Sequence, residues 1–121
     1  MRPPATTLGS QPIVHEAEQL LRRLSASEDE SLARVLTLRP SADGECDRAL
    51  TPRVRTLVRL AALVAGDAST TSLRWAVELA WSSGAADEEI VAVLVSIARE
   101  VGVPRIVDGA PRLAAAIGYD V

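Results

Sequence analysis

The apolar residues of this chain recur at the three- and four-residue spacing of an α-helix, and no stretch alternates with the two-residue period of a strand. An N-terminal segment, residues 14–24, carries its apolar side chains on one helical face. The same pattern returns in four later segments, which Gly and Pro residues separate: 52–65, 72–83, 87–101 and 104–118. We therefore expect an all-α fold, a compact bundle of about six helices with short connections.

Capping signals mark where two of the helices should begin. Ser27 is followed three residues later by Glu30, which matches a capping box, so we expect Ser27 to be the N-cap of a short second helix. Thr51 suits an N-cap and Pro52 suits the first position of the third helix. Gly66 should end that helix.

Glycines also divide the later part of the chain. Gly84 should end the fourth helix and Gly102 the fifth, which opens with acidic residues near its positive N-terminus. The last helix should begin at Pro104. We expect it to be interrupted or kinked at Gly109–Pro111, since proline removes a helical hydrogen bond.

Two of these helices are apolar on more than one side. The third has one main face, with Leu60 and Leu63 off it: Val54, Leu57, Val58, Ala61 and Val64. The fifth has two faces: Ile90, Leu94, Ile97 and Val101 on one, and Val91, Val95 and Ala98 on the other. One small core does not cover so many faces. Either one central helix is fully buried, or the third and fifth helices also form a subunit interface.

Composition divides the chain into three parts within what we expect to be a single domain. Residues 1–12 contain three prolines and suggest a flexible N-terminal arm. Residues 13–49 hold the N-terminal helices and a loop rich in Pro, Gly and Asp. Residues 50–121 form the main core.

Charge and residue usage exclude several functions. The net charge is −3 and no helix carries a basic stripe, so nucleic acid is not an expected partner. All 13 basic residues are arginine, and without lysine there is no Schiff-base nucleophile. One cysteine, Cys46, and one histidine, His15, rule out intrachain disulfides and a Cys/His zinc cluster in one chain. We expect no metal and no other cofactor.

No apolar run reaches the roughly 18 residues that cross a bilayer, and the N-terminus has no apolar signal region. We therefore expect no membrane association and, by default, a cytoplasmic location.

Three stretches of the second half resemble the carboxymuconolactone decarboxylase family, which is related to the alkylhydroperoxidase D-like proteins. They are "LTPRVRTLVRLAAL", "SLRWAVELAWSSGAADEEIVAVLVSIA" and "VGVPRIVDGAPRLAAAIG", and together they span roughly residues 50–118. The resemblance implies the alkylhydroperoxidase D-like fold and a homo-oligomer, a trimer or a trimer-based hexamer. The chain itself is then the expected macromolecular partner.

The peroxidase-like members of that family carry a C-x-x-C motif followed by a histidine. Counted back from the glycine that ends the fourth helix, the cysteine positions fall on Ser69 and Ser72 and the histidine position on Ala76. A glutamate of the preceding helix falls near Thr56. Because the thiols and the histidine are missing, the resemblance does not extend to thiol peroxidase activity.

The decarboxylase-like members fit better, since Leu73-Arg74 matches a recurrent dipeptide and Arg55 a recurrent arginine. The resemblance thus implies a non-redox enzyme, a decarboxylase, isomerase or cyclase, acting on a small anionic carbonyl or lactone compound. Arg74 and Arg55 would hold the anion, and Glu78 or Glu100 would move protons.

Trp75 and Ser72 would complete the binding site of such an enzyme. Each residue also has a plainer interpretation. Arg74 and Glu78 are four apart and suit a solvated ion pair, Trp75 suits packing, and Glu100 suits the surface. The alternative function is that of a non-catalytic oligomeric binding or scaffold protein that has lost the family's active site.

Overall fold

The computed structural model describes residues 11–36 and 49–120, with side chains of the first helix from Glu16 onward. The described ranges contain six helices and no strand, so the all-α prediction is confirmed for them. The helices are α1 (Gln11–Ser25), α2 (Asp29–Leu36), α3 (Pro52–Ala65), α4 (Thr70–Ser82), α5 (Asp87–Val101) and α6 (Val103–Ile117). The chain divides into two compact units between Leu50 and Thr51.

The first unit contains α1 and α2, joined by a tight turn at Ser27. Ser27 has a φ of 57°, in the left-handed region, and its N–H donates to the Leu24 carbonyl at 3.0 Å. The Glu28 N–H donates to the Arg23 carbonyl at 3.0 Å, which completes a Schellman motif at the end of α1. The Glu28 carbonyl then accepts the first bond of α2, from the Leu32 N–H at 3.0 Å. The capping box predicted at Ser27 is therefore wrong, because Ser27 ends α1.

The second unit packs α3, α4, α5 and α6 into a bundle. In it α4 lies against α3 and α6, while α5 also packs against both. The core holds only small and aliphatic side chains: Leu60, Val64, Leu73, Ala76, Val77, Ala80, Ala85, Ile90, Val93, Leu113 and Ala116. Because there is no Phe in the chain, these short side chains let the helices approach closely.

The two predicted faces of α5 have different surroundings. Ile90 is fully buried, and Leu94 and Ile97 pack against the core, whereas Val95 on the other face is 75% exposed. On α3, Leu60 is buried although it lies off the main apolar face, while Val58 on that face is exposed. The core therefore takes only part of the apolar surface of these two helices.

The ends of α3 follow the capping signals closely. Thr51 is the N-cap, and its Oγ1 accepts from the Val54 N–H at 3.2 Å, with Pro52 in the first turn as predicted. Gly66 is the C-cap, but its φ is an ordinary −86°. The left-handed residue is instead Asp67, at a φ of 59°.

Ser69 and Gly84 bound helix α4. Ser69 Oγ accepts from the Ser72 N–H at 3.2 Å, so the helix begins at Thr70, two residues before its predicted start. At the other end Gly84 has a φ of 92°, and the Ala85 N–H reaches back five residues to a helical carbonyl at 2.9 Å. This Schellman motif uses glycine where a left-handed backbone is required.

Gly102 alone joins α5 to α6. It is the C-cap of one helix and the N-cap of the other, with φ 87° and ψ 156°, a backbone conformation that only glycine adopts readily. The interruption predicted at Gly109–Pro111 does not occur, since α6 runs through both residues. Pro111 is exposed, so water can reach the carbonyl that loses its helical donor, while Gly109 is buried against Val64 of α3.

None of the helices in the described ranges combines the length and the apolar content needed to cross a lipid bilayer.

Candidate functional site

A groove of about 380 Å³ lies between α3 and α5 on the surface of the second unit. Each helix contributes residues at the spacing of one helical face. The lining residues are Val54, Leu57, Val58 and Ala61 from α3, and Glu89, Ala92, Val93, Ser96 and Ile97 from α5. The α3 residues are four of the five predicted for its main apolar face, and Val58 is 53% exposed. The groove is thus an apolar surface that the core leaves uncovered.

The two polar side chains of the groove already have partners within the chain. Glu89 Oε2 accepts from Arg53 Nη1 at 2.8 Å, and Glu89 Oε1 accepts from the Ala86 N–H at 3.0 Å. Ser96 Oγ donates to the Ala92 carbonyl one turn earlier at 2.8 Å. The groove can therefore hold an apolar surface, but it does not present converging groups for proton transfer.

Four of the predicted site residues lie on α4, and all four are exposed. Arg74, Trp75 and Glu78 share one side of the helix, and Trp75 is 59% exposed. Within the described part of the chain, no ion pair or side-chain hydrogen bond joins Arg74 to Glu78. Ser72 lies one turn before Trp75, and its hydroxyl is 3.2 Å from that of Ser69 and belongs to the capping network.

The other two predicted residues lie on different helices. Arg55 is half-buried on α3, and Glu100 is exposed in the last turn of α5. None of the six predicted residues lines the α3–α5 groove. The fold thus places Arg74, Trp75 and Glu78 on exposed positions of one helix, and leaves Arg55 and Glu100 on other helices.

The positions at which the family resemblance expects catalytic groups have structural tasks in this chain. Ser69 caps α4, and Ala76 is 1% exposed among the core residues, where an imidazole has no room. Thr56 Oγ1 donates to the Arg53 carbonyl at 2.7 Å. Cys46 lies outside the described residues.

The Asp87 carboxylate, which the sequence analysis did not single out, accepts hydrogen bonds from two aromatic side chains. Trp81 Nε1 donates to Asp87 Oδ1 at 2.7 Å, and the Tyr119 hydroxyl donates to Asp87 Oδ2 at 3.0 Å. The hydrogen bond to Asp87 raises the pKa of Tyr119, and the negative charge of the carboxylate adds to the effect. This cluster joins the end of α4, the start of α5 and the end of α6. The sequence signal for it is weak, because Tyr119 is 32 residues from its partner.

Among the described residues no group of three or more His, Cys, Asp or Glu side chains is placed to hold a metal ion. Comparisons of the chain with protein families, with curated proteins and with solved structures found no match.

Proposed function

We propose that this chain is a non-catalytic protein of the carboxymuconolactone decarboxylase type, which works as an oligomeric scaffold and associates with copies of itself through the α3–α5 groove. The observation that carries the proposal is the groove itself. It is apolar and open, and its two polar side chains, Glu89 and Ser96, are engaged within the chain. Docking of an apolar surface there leaves no polar group of the groove without a partner.

Burial of this groove would be favourable because it removes aliphatic surface from water, at about 25 cal/mol per Å². Val58 on the rim is half exposed, and a stripe of valine and leucine runs along α3 beside it. Exposed apolar stripes of this kind are typical of subunit interfaces. Self-association accounts for the excess of apolar helix surface without a further partner.

The experiment compares the mass of the full chain in solution with that of two matched variants. Sedimentation velocity over a range of concentrations should show an oligomer for the native chain. Val58→Asp puts a charge in the groove and should give a monomer with unchanged helical content. Val107→Asp, at a position on α6 that is 62% exposed and outside the groove, should leave the oligomer intact. A native chain that stays monomeric at all concentrations contradicts the proposal.

A second candidate is the non-redox enzyme acting on a small anionic carbonyl or lactone compound. The observation in its favour is that Arg74 and Glu78 are exposed on the same side of α4 and do not pair with each other. Against it, ligand sites are usually concave, and neither Arg74 nor Glu78 lines the α3–α5 groove. A thermal-shift screen with small aromatic, lactone and dicarboxylic acids tests it. Stabilisation that disappears in Arg74→Ala would support the enzyme function. If none of these acids stabilises the chain, the enzyme function is contradicted.

A further inference from the structure

Two aromatic side chains share a single carboxylate at one end of the bundle. Trp81 Nε1 and the Tyr119 hydroxyl donate to the two oxygens of Asp87, at 2.7 Å and 3.0 Å. Both residues are only partly covered, since Trp81 is 41% exposed and Tyr119 47%. Part of each aromatic side chain therefore stays open to solvent while Asp87 holds its polar atom. None of the three residues lines the α3–α5 groove.

The surroundings of these two side chains are negatively charged. Glu88 follows Asp87 in the first turn of α5, and its charge also acts on the Tyr119 hydroxyl. Asp120 is the next residue after Tyr119. Within the described ranges no salt bridge involves Asp87, Glu88 or Asp120. The carboxylates beside the rings thus keep their negative charge.

The arginines of the neighbouring helices do not cancel this charge. Arg53 of α3 and Arg112 of α6 are each paired with another carboxylate, at 2.8 Å and 2.6 Å. Arg74 on α4 precedes Trp81 by seven residues (81 − 74), which is about 10 Å along the helix. Arg99 lies in the last turn of α5, at the opposite end of that helix. No arginine of the described ranges forms a salt bridge with the cluster.

The helix dipoles add to the negative potential at this end of the bundle. Helices α4 and α6 both end at the cluster, and the C-terminal end of a helix is partially negative. Helix α5 begins there with a partially positive end, which the full charges of Asp87 and Glu88 more than offset. The local charges therefore favour a cation as the ligand.

We propose that Trp81 and Tyr119 bind the quaternary ammonium group of an organic cation beside Asp87. The face of an aromatic ring is negative and attracts cations, most strongly at tryptophan. Hydrogen bonds from both rings to an anion polarise the rings further in this direction. Because Asp87 already accepts from both rings, the site favours a cation that needs no hydrogen bond of its own, and a quaternary ammonium group is such a cation. The site lies outside the groove and does not depend on the proposed self-association.

Proton NMR of choline in the presence of the full chain tests this site. When a trimethylammonium group lies over an aromatic ring, the ring current moves its methyl signal upfield. Titration to about 50 mM should show this shift with a dissociation constant in the millimolar range, because cation–π contacts at exposed rings are weak. The control ligand is the neutral isostere of choline, in which a tert-butyl group replaces trimethylammonium. No shift for choline, or an equal shift for the isostere, overturns the proposal.

Three variants of the full chain test the residues. Trp81→Leu should raise the dissociation constant of choline at least about fivefold, since it removes the stronger of the two rings. Asp87→Asn keeps the shape of the side chain but removes its charge, and should raise the constant about threefold. Trp75→Leu removes the other tryptophan, which is 59% exposed on the same helix, and should leave the constant unchanged.

Circular dichroism checks that each variant keeps its helical content, and Asp87→Asn decides the matter if Trp81→Leu does not fold. Equal losses of affinity in Trp75→Leu and Trp81→Leu would overturn the proposal, because choline would then bind to any exposed tryptophan. Unchanged affinity in Asp87→Asn would overturn the role of the carboxylate.

The same titration with a short peptide that carries trimethyllysine identifies the source of the cation. Tighter binding of the peptide than of choline supports the site and assigns it to a modified side chain of a partner protein. Binding of choline that equals or exceeds that of the peptide supports the site and assigns it to a free small molecule.

Discussion

Arg112 on α6 donates its Nη1 to Asp67 Oδ1 at 2.6 Å, and Asp67 is the left-handed residue that ends α3. Arg105 lies 3.6 Å from the other carboxylate oxygen. The Ala68 carbonyl also accepts from Arg112, at 3.4 Å. The turn after α3 is thus tied to two positions on α6, so one aspartate both ends a helix and holds another helix against it.

The first prediction separates these two tasks of Asp67. Asp67→Asn keeps a residue that tolerates the left-handed region but loses the charge, and it should destabilise the chain by about 0.5 kcal/mol, as expected for exposed ion pairs. Asp67→Ala also forces an alanine into the left-handed region, so it should lower the free energy of unfolding by at least about 1 kcal/mol. Urea unfolding of both variants measures the difference, and equal losses would show that the backbone conformation contributes nothing.

The second prediction concerns Ser69 as the N-cap of α4. Ser69→Ala removes the acceptor for the Ser72 N–H and should lower the free energy of unfolding by about 1 kcal/mol. Ser69→Asp supplies an acceptor again and should restore most of the loss. The measurement is chemical denaturation followed by circular dichroism. If Ser69→Ala is as stable as the native chain, the hydroxyl has no capping role.

Ala76 gives a third prediction, about the histidine that the family resemblance leads one to expect at this position. Ala76→His should destabilise the chain by at least about 2 kcal/mol, because it overpacks the core and buries unpaired ring nitrogens. Thr71→His is the matched control on an exposed position of the same helix and should change stability by less than about 0.5 kcal/mol. A stable Ala76→His variant would show that this part of the core has room for an imidazole.

The fourth prediction follows from the raised pKa of Tyr119. The neutral phenol donates to Asp87, so the interaction stabilises the fold below the unfolded pKa of about 10 and is lost as the pH rises through the higher folded pKa. Asp87→Ala should bring the pKa of Tyr119 down towards its ordinary value, and Asp120→Asn should leave it unchanged. Since Tyr119 is the only tyrosine, tyrosinate absorbance reports it alone. A pKa that is the same in Asp87→Ala would contradict the hydrogen bond.

The fifth prediction concerns Gly102, which joins α5 to α6. Gly102→Ala keeps a small side chain, and the nearest atom to its Cβ would be Pro104 Cδ at 3.9 Å, so space is sufficient. Alanine does not readily adopt a φ of 87°, so we expect the free energy of unfolding to fall by about 1–3 kcal/mol. The neighbouring exposed position provides the control, since Val103→Ala should have little effect. Thermal unfolding of both variants decides between backbone strain and simple loss of surface packing.

Much of the fold could be predicted because the local signals and the packing agree. Thr51 with Pro52, and the glycines at 84 and 102, mark helix ends whose backbone requirements are visible in the residue type. Ser27 misled the prediction, because the same residue type can cap one helix or end another. The left-handed residue after α3 is Asp67 and not Gly66. The carboxylate of Asp67 also binds Arg112 of α6, and that long-range contact is not visible in the local sequence.

The candidate site was harder to predict than the fold. The periodicity of α3 and α5 indicated surplus apolar surface, and the groove lies on those helices. The periodicity did not show that Leu60 would take the core position on α3 and leave Val58 exposed. Nor could it show that Arg74 and Glu78 would remain apart, because the partner of a surface charge depends on side-chain geometry.

The Asp87 cluster gives the chain an optical probe of its own. The only tyrosine and one of the two tryptophans bind the same carboxylate, the indole N–H at 2.7 Å and the phenol hydroxyl at 3.0 Å, so the two rings are neighbours. In the folded chain, excitation energy absorbed by Tyr119 should transfer to Trp81, so tyrosine emission should be quenched. Fraying at the C-terminal end of α6 would restore that emission while the rest of the bundle remains folded. Intrinsic fluorescence can therefore follow this end of the bundle without an added label.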